Sequence, residues 1–179
     1  VEDIHNQGGT ILKSHRGNPR QEDAAAALKA RGVRQFFVLG GDGAMKGCLQ
    51  IFTALAGLGH ECACLALPAT INSDIPLSDK TFGFDTACTE AEKAIDAAYV
   101  EATCNVNTIG LVKLMGRNCG SVAQNAVLAA RNVDIVLLPE MNVSIQKVLD
   151  HCLHLTQTKG YAVVVVTDGC KLGDCNEDV

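Results

Sequence analysis

Four consecutive valines, Val163-Val164-Val165-Val166, constrain this chain more than any other feature. An unbroken β-branched run is expected of a strand covered on both faces, as in a parallel sheet packed between helices. Further strand candidates lie at Gln35–Leu39, Cys62–Leu67, Thr108–Leu114 and Asp134–Leu138, and the valines complete one at Tyr161–Thr167. Helix candidates fall between them, at Gln21–Arg31, Ala44–Leu58, Thr86–Thr103, Gly120–Arg131 and Ser144–Lys159. In the last of these, Ile145, Val148, Leu149, Cys152 and Leu155 recur at helical spacing; Ser144 is placed to cap the start and Gly160 to end it. Alternation of this kind predicts an α/β fold: a three-layer domain whose mostly parallel sheet is flanked by helices and joined by right-handed crossovers.

Composition narrows the function classes. At 179 residues the chain suits one well-buried domain, so residues 1–179 are read as a single unit. With 47% apolar and 20% charged residues it has the make-up of a globular domain, and no apolar run approaches the roughly 20 residues that span a bilayer. Val1-Glu2-Asp3-Ile4-His5 has neither the basic flank nor the apolar core of a signal peptide. A net charge of −5 argues against nucleic acid, which needs a basic face to displace counterions. Nine cysteines, mostly inside apolar stretches and without a C-x-x-C pair, read as reduced thiols. That points to the cytoplasm and leaves an organelle open. A zinc site through His151, Cys152 and His154 would lack a second ligand pair.

In open α/β sheets ligands collect beyond the carboxyl ends of the strands. Four strand ends carry chemistry here. The first is followed by Gly40-Gly41-Asp42-Gly43, where glycines let a phosphate approach backbone amides and an acid can hold Mg²⁺ through oxygen. The helix that follows aims its positive end at the same point; the plainer alternative is a glycine turn. The second is followed by Pro68-Ala69-Thr70-Ile71-Asn72-Ser73-Asp74 and then Asp79–Ala87, a polar loop of a length more often functional than decorative. Thr70 could donate to a transferred phosphoryl group, and Asp74 could bind metal or orient a hydroxyl; Asn, Ser and Asp also serve ordinary turns. The third is followed by Met115-Gly116-Arg117, whose guanidinium can fork onto a phosphate or a sugar hydroxyl, or form a surface ion pair. After the fourth, Pro139-Glu140 offers a carboxylate to sugar hydroxyls. Near the N-terminus, Arg16 is one more candidate phosphate ligand or a solvated loop charge.

In this order, from Gly8 to about Val166, these segments resemble the phosphofructokinase family, and its plant and protist branch most closely. The stretches Thr81–Ala87, Gly110–Arg117 and Pro139-Glu140 carry the likeness. NAD and lipid kinases share Gly40–Gly43 but not the other three motifs. The resemblance implies that Arg16, Gly41, Asp42 and Gly43 face the nucleotide phosphates, with Asp42 on Mg²⁺. It implies that Thr70 and Asp74 stand at the transferred phosphoryl, and that Met115, Gly116, Arg117 and Glu140 form the fructose 6-phosphate pocket. Gly43, with no lysine at Ala69, matches members that use ATP rather than pyrophosphate.

Three departures qualify this. The family's loop reads Thr-Ile-Asp-Asn-Asp, and here Asn72 replaces the first aspartate, the base that takes the sugar's proton. General-base assistance is typically worth ~10²–10⁴ in rate. Ala44 replaces a serine or threonine beside the nucleotide, and Thr108 stands where bacterial members carry an arginine. The family also extends beyond this chain on both sides, so the resemblance implies a chain truncated at both ends or a site completed by partner chains. The expectation is therefore a phosphofructokinase-like protein that binds ATP-Mg²⁺ and fructose 6-phosphate with impaired turnover, a possible pseudoenzyme in glycolysis. It would assemble as a homo-oligomer or with family paralogues. The alternative is a non-catalytic regulatory or structural subunit of a larger complex.

Overall fold

A computed structural model describes residues 3–11, 13 and 19–173. Helices α1 (Gln21–Ala30), α2 (Asp42–Gly57), α3 (Phe84–Cys104), α4 (Ser121–Ala130) and α5 (Ile145–Lys159) alternate with strands β1 (Gln35–Gly40), β2 (Ala63–Pro68), β3 (Thr108–Leu114), β4 (Ile135–Leu137) and β6 (Tyr161–Thr167). Two further strands, β5 (Asn142–Val143) and β7 (Lys171–Leu172), are two residues each. The chain divides into two compact units.

The first unit comprises Val1–Val38 and Lys46–Leu65. Ala25 on α1 and Cys48 and Leu55 on α2 are buried. Lys29 Nζ donates to the Leu58 carbonyl at 2.6 Å, and the His60 ring meets the Val33 carbonyl at 2.7 Å, which fixes the turns that follow α1 and α2. The Ala63 N–H donates to the Arg34 carbonyl at 2.9 Å, starting the pairing of β2 with β1.

The second unit, Leu39–Met45 with Ala66–Val179, holds the main sheet. Its strand order is β3-β6-β4, with both pairings parallel. The valine strand lies between the other two, and the alternation of its side chains builds the layers. Val165 packs with Ala91, Ile95, Ala123, Ala126, Ala130 and Leu138, so α3 and α4 cover one face. Val164 packs with Leu137 and Cys152, so α5 covers the other. Helices on both faces of a parallel sheet are the three-layer arrangement that the alternating pattern predicts.

Coverage on both faces holds for β6 and for the short β4, whose Val136 joins the first cluster and Ile135 and Leu137 the second, and does not extend to the other long strands. Ile109 and Leu111 on β3 are exposed, 46% and 67%, and Phe37, Leu39, Leu65 and Leu67 on β1 and β2 are exposed likewise. β1 and β3 have the alternating burial of a sheet with one wet face, while β2 is exposed at three successive positions, Leu65 to Leu67. The helix boundaries fall within two residues of those read from spacing. Gly160 ends α5 in the left-handed conformation, φ +86°. Ser144 occupies the cap position of α5 without a side-chain capping hydrogen bond, which corrects the capping role expected of it.

Candidate functional site

The site residues that the structure describes fall in the second unit, at strand ends, in two groups.

The first group is built where β1 and β2 end. A Cβ on Gly40 would stand 2.5 Å from Ala44 Cβ, so only glycine lets β1 pass directly into α2. The helix accordingly starts at Asp42, two residues before its apolar pattern does, and Asp42 is an exposed acid in the first turn. Its carboxylate sits where backbone N–H groups lack helical partners. The Ala69 N–H donates to the Gly40 carbonyl at 3.0 Å, which draws the following residue, Thr70, against Gly41. A side chain on Gly41 would meet Thr70 Cβ at 3.4 Å and Oγ1 at 3.6 Å. Among the described residues no atom outside its immediate chain neighbours and own helix backbone lies within 4 Å of a Cβ on Gly43, which leaves space above that residue.

Thr70 is held from its other side by the returning loop. Thr81, itself buried, donates its hydroxyl to the Thr70 carbonyl at 2.5 Å, and the Phe82 N–H donates to the Pro68 carbonyl at 2.9 Å. The Asn72 N–H donates to Thr70 Oγ1 at 3.3 Å. Ser73 turns the chain in the left-handed region, φ +51°. Asn72 Oδ1 is buried, and no donor among the described residues reaches it. Lys80 pairs with Asp85 at 2.9 Å, and the hydrogen bond to that carboxylate raises the lysine's pKa. Burial, and then the Asp85 carboxylate, push the Cys88 thiol up.

The second group surrounds the ends of β3, β4 and β6. The Gly116 N–H donates to Asp168 Oδ1 at 2.8 Å. In return the Asp168 N–H donates to the Leu114 carbonyl at 3.1 Å, and the Gly169 N–H to the Gly116 carbonyl at 3.2 Å. The Thr167 hydroxyl donates to the Leu137 carbonyl at 3.1 Å, tying the end of β6 to β4. Met115 and Arg117 are both exposed on this clamped strand end. Glu140 Oε1 accepts the Gly120 N–H at 2.8 Å, so one carboxylate oxygen already serves the first turn of α4.

The residues expected at the nucleotide and transfer positions, Gly41, Asp42, Gly43, Thr70, Asn72 and Asp74, thus lie in the first group, and Met115, Gly116, Arg117 and Glu140 in the second. Arg16 lies outside the described residues. Sequence reasoning missed Asp168 and Gly169. They follow the valine strand directly, and the strand-end rule applied to the other four strands would have found them.

The phosphofructokinase family model matches residues 1–178. The chain belongs to the phosphofructokinase family. It is 42% identical over 172 residues to an ATP-dependent 6-phosphofructokinase of Amycolatopsis methanolica, covering 94% of this chain and 38% of that protein. It is 42% identical over 175 residues to ATP-dependent 6-phosphofructokinase 1 of Arabidopsis thaliana, covering 94% of this chain and 36% of that protein. Among solved structures, a pyrophosphate-dependent phosphofructokinase from Marinobacter aquaeolei matches with a TM-score of 0.75 at 22% identity, over 92% of this chain and 44% of that one. The last likeness concerns the fold alone. This phosphofructokinase family member spans less than two-fifths of the length of the two curated relatives. Among its described residues no helix is long and apolar enough to cross a membrane.

The family implies Mg²⁺ with its nucleotide, and the donor set fits that ion in one respect. Among the described residues no three His, Cys, Asp or Glu side chains gather as a metal cage. Mg²⁺ commonly takes only one or two carboxylates and completes its shell with phosphate oxygens and water. Asp42, exposed beside open space at Gly43, suits that mode.

Proposed function

We propose that this chain forms the ATP-Mg²⁺ and fructose 6-phosphate binding portion of an ATP-dependent 6-phosphofructokinase, acting as one domain over residues 1–179, with turnover impaired at Asn72. The supporting observation is the Thr70–Asn72 turn. The Thr70 side chain stands where a Cβ on Gly41 would meet it at 3.4 Å, and two residues later a buried amide oxygen has no donor among the described residues.

Phosphoryl transfer leaves a protein little covalent work, so positioning and charge neutralisation dominate. Bound Mg²⁺ would neutralise phosphate charge as the phosphoryl group moves. Asp42 would hold it, and the first turn of α2 would receive phosphate oxygens. Thr70 would donate its hydroxyl to the transferred group, while Arg117, with the Met115-Gly116 strand end, orients the sugar phosphate and Glu140 receives a sugar hydroxyl on its second oxygen. Arg16 would add a charge at the nucleotide. The sugar hydroxyl must lose a proton as it attacks, and here the chain is deficient. The Asn72 amide oxygen accepts a hydrogen bond but is far too weakly basic to keep the proton. Binding is therefore retained and turnover lowered. The relatives' printed names and the glycine at position 43, where packing leaves room for a larger side chain, both favour ATP over pyrophosphate.

The test is Asn72→Asp in the full-length protein. A rise in kcat of ~10²–10⁴ with little change in ligand affinity is expected from restoring a general base. No rise would overturn the impairment reading. So would turnover typical of active family members in the unaltered protein that survives Asp74→Ala. The same substitution favours a second reading, a non-catalytic subunit that regulates or scaffolds an active paralogue in a cytoplasmic oligomer. That reading predicts a stoichiometric complex without kinase activity. Calorimetry that detects neither nucleotide nor sugar phosphate binding would exclude its ligand-sensing form.

A further inference from the structure

The amide at position 72 has chemistry of its own. Of the ten asparagines in the chain, Asn72 alone precedes serine, and none precedes glycine. The following residue decides how easily its backbone nitrogen reaches the asparagine side-chain carbonyl carbon. A small unbranched residue leaves that approach open, whereas the valines after Asn105, Asn132 and Asn142 and the threonine after Asn107 crowd it.

The fold leaves the reacting groups unengaged. Among the described residues nothing accepts a hydrogen bond from the Ser73 N–H. Asn72 Oδ1 has no donor among the described residues, so turning the carboxamide toward Ser73 breaks none of their hydrogen bonds to that oxygen. Ser73 directly follows the bend at Ile71 and Asn72 and lies in neither helix nor strand, at a left-handed φ of +51° that is strained for a non-glycine residue.

We propose that Asn72 is a site of spontaneous deamidation through an Asn72–Ser73 succinimide. The Ser73 backbone nitrogen bonds to Asn72 Cγ, the Cγ–Nδ2 bond breaks, and the nitrogen's proton leaves with ammonia. Water then opens the ring. Addition at Cγ yields aspartate, and addition at the main-chain carbonyl yields isoaspartate. The exchange is one ammonia out and one water in, without oxidant or reductant. The functional consequence rests on the reading of Asn72 as the base position. The aspartate product installs there the carboxylate that the family's loop carries, and burial would hold its pKa above the usual carboxylate range, making it a stronger base. Isoaspartate instead lengthens the main chain by one carbon immediately before Ser73 and Asp74.

The experiment ages freshly purified full-length protein at mildly alkaline pH and follows the Asn72 peptide by mass spectrometry, isoaspartate by methyltransferase labelling, and kcat. A urea-unfolded sample is aged beside it. Progressive loss of the Asn72 amide in the native protein is expected, faster in Ser73→Gly. In step with the aspartate fraction, kcat should rise toward the ~10²–10⁴ gain of a restored base. Asn72→Gln, whose longer side chain disfavours the five-membered ring, should gain nothing on ageing. A native Asn72 that keeps its amide while the unfolded chain loses it would overturn the proposal, as would a rate indifferent to Ser73→Gly. Conversion without any gain in kcat would uphold the modification and overturn the base reading.

Discussion

Gly169→Ala tests the strand-end clamp most sharply. A Cβ at this position would stand 1.9 Å from the Arg117 carbonyl oxygen and 2.5 Å from its carbon, where ordinary contact begins at 3.4 Å. Backbone rather than a flexible side chain is in the way, so the two strand ends must separate. Two hydrogen bonds depend on their spacing: the Gly169 N–H to Gly116 at 3.2 Å, and the Gly116 N–H to the Asp168 carboxylate at 2.8 Å. Gly116 is buried, so a bond lost there is not freely replaced by water. Stranding a buried donor costs about 1–3 kcal/mol, more when its partner is charged, and a total of about 2–4 kcal/mol is expected. Urea unfolding of the full-length protein should show the midpoint falling with an unchanged slope, and the KM for the sugar phosphate should rise because Arg117 moves with its carbonyl. Gly47→Ala, inside α2 with no atom of the described residues beyond its own helix backbone and chain neighbours within 4 Å of the added carbon, serves as the control and should gain about 0.5–1 kcal/mol. A Gly169→Ala protein that unfolds at the wild-type urea concentration would refute the clamp.

Three further outcomes follow from the same geometry. Thr81→Val removes the hydroxyl donated to Thr70 and should destabilise by about 1–3 kcal/mol, seen as a lower urea midpoint together with weakened nucleotide binding. Ile95→Ala empties a wholly buried site between α3 and the sheet and should cost about 2–5 kcal/mol by the same measurement. Burial, then the neighbouring Cys62, pushes the Cys64 thiol up to about 11. At pH 8 its thiolate, and hence its alkylation rate, should be about a hundredfold below that of an ordinary thiol. Because the folded pKa is the higher one, this thiol's contribution to stability is complete below the ordinary value and is lost as pH rises toward 11, which alkaline unfolding would register.

Much of this architecture was legible because period and punctuation agree. The valine run, the helical spacing of Ile145 to Leu155 and the glycine at 160 each point to the element that forms. Less was legible where tertiary contacts decide. Asp42 enters α2 because Gly40 lets the chain turn at once, and the apolar pattern, which begins at Ala44, gives no sign of that. The exposed face of β3 was not legible because Ile109 and Leu111 are apolar, and a strand's sequence does not say which neighbours cover it. Strands of two residues, β5 and β7, are too short for any period to show. At the site, chemistry-bearing residue types at strand ends were visible from sequence. The Asp168–Gly116 bond, the Glu140 contact with α4 and the partnerless oxygen of Asn72 needed coordinates, since each joins segments far apart or depends on what fails to arrive.

The central place of β6 bears on how the chain is made. β3 and β4 both pair with it and both precede it, with register partners Leu111–Val164 and Ile135–Val164. On the ribosome, these two strands emerge with their hydrogen-bonding edges unmatched until Tyr161–Thr167 follows. The sheet therefore closes by insertion of its latest strand, a non-local step that is slow and exposes apolar edges meanwhile. Until the valines arrive, the nascent chain carries two strands waiting for a common partner.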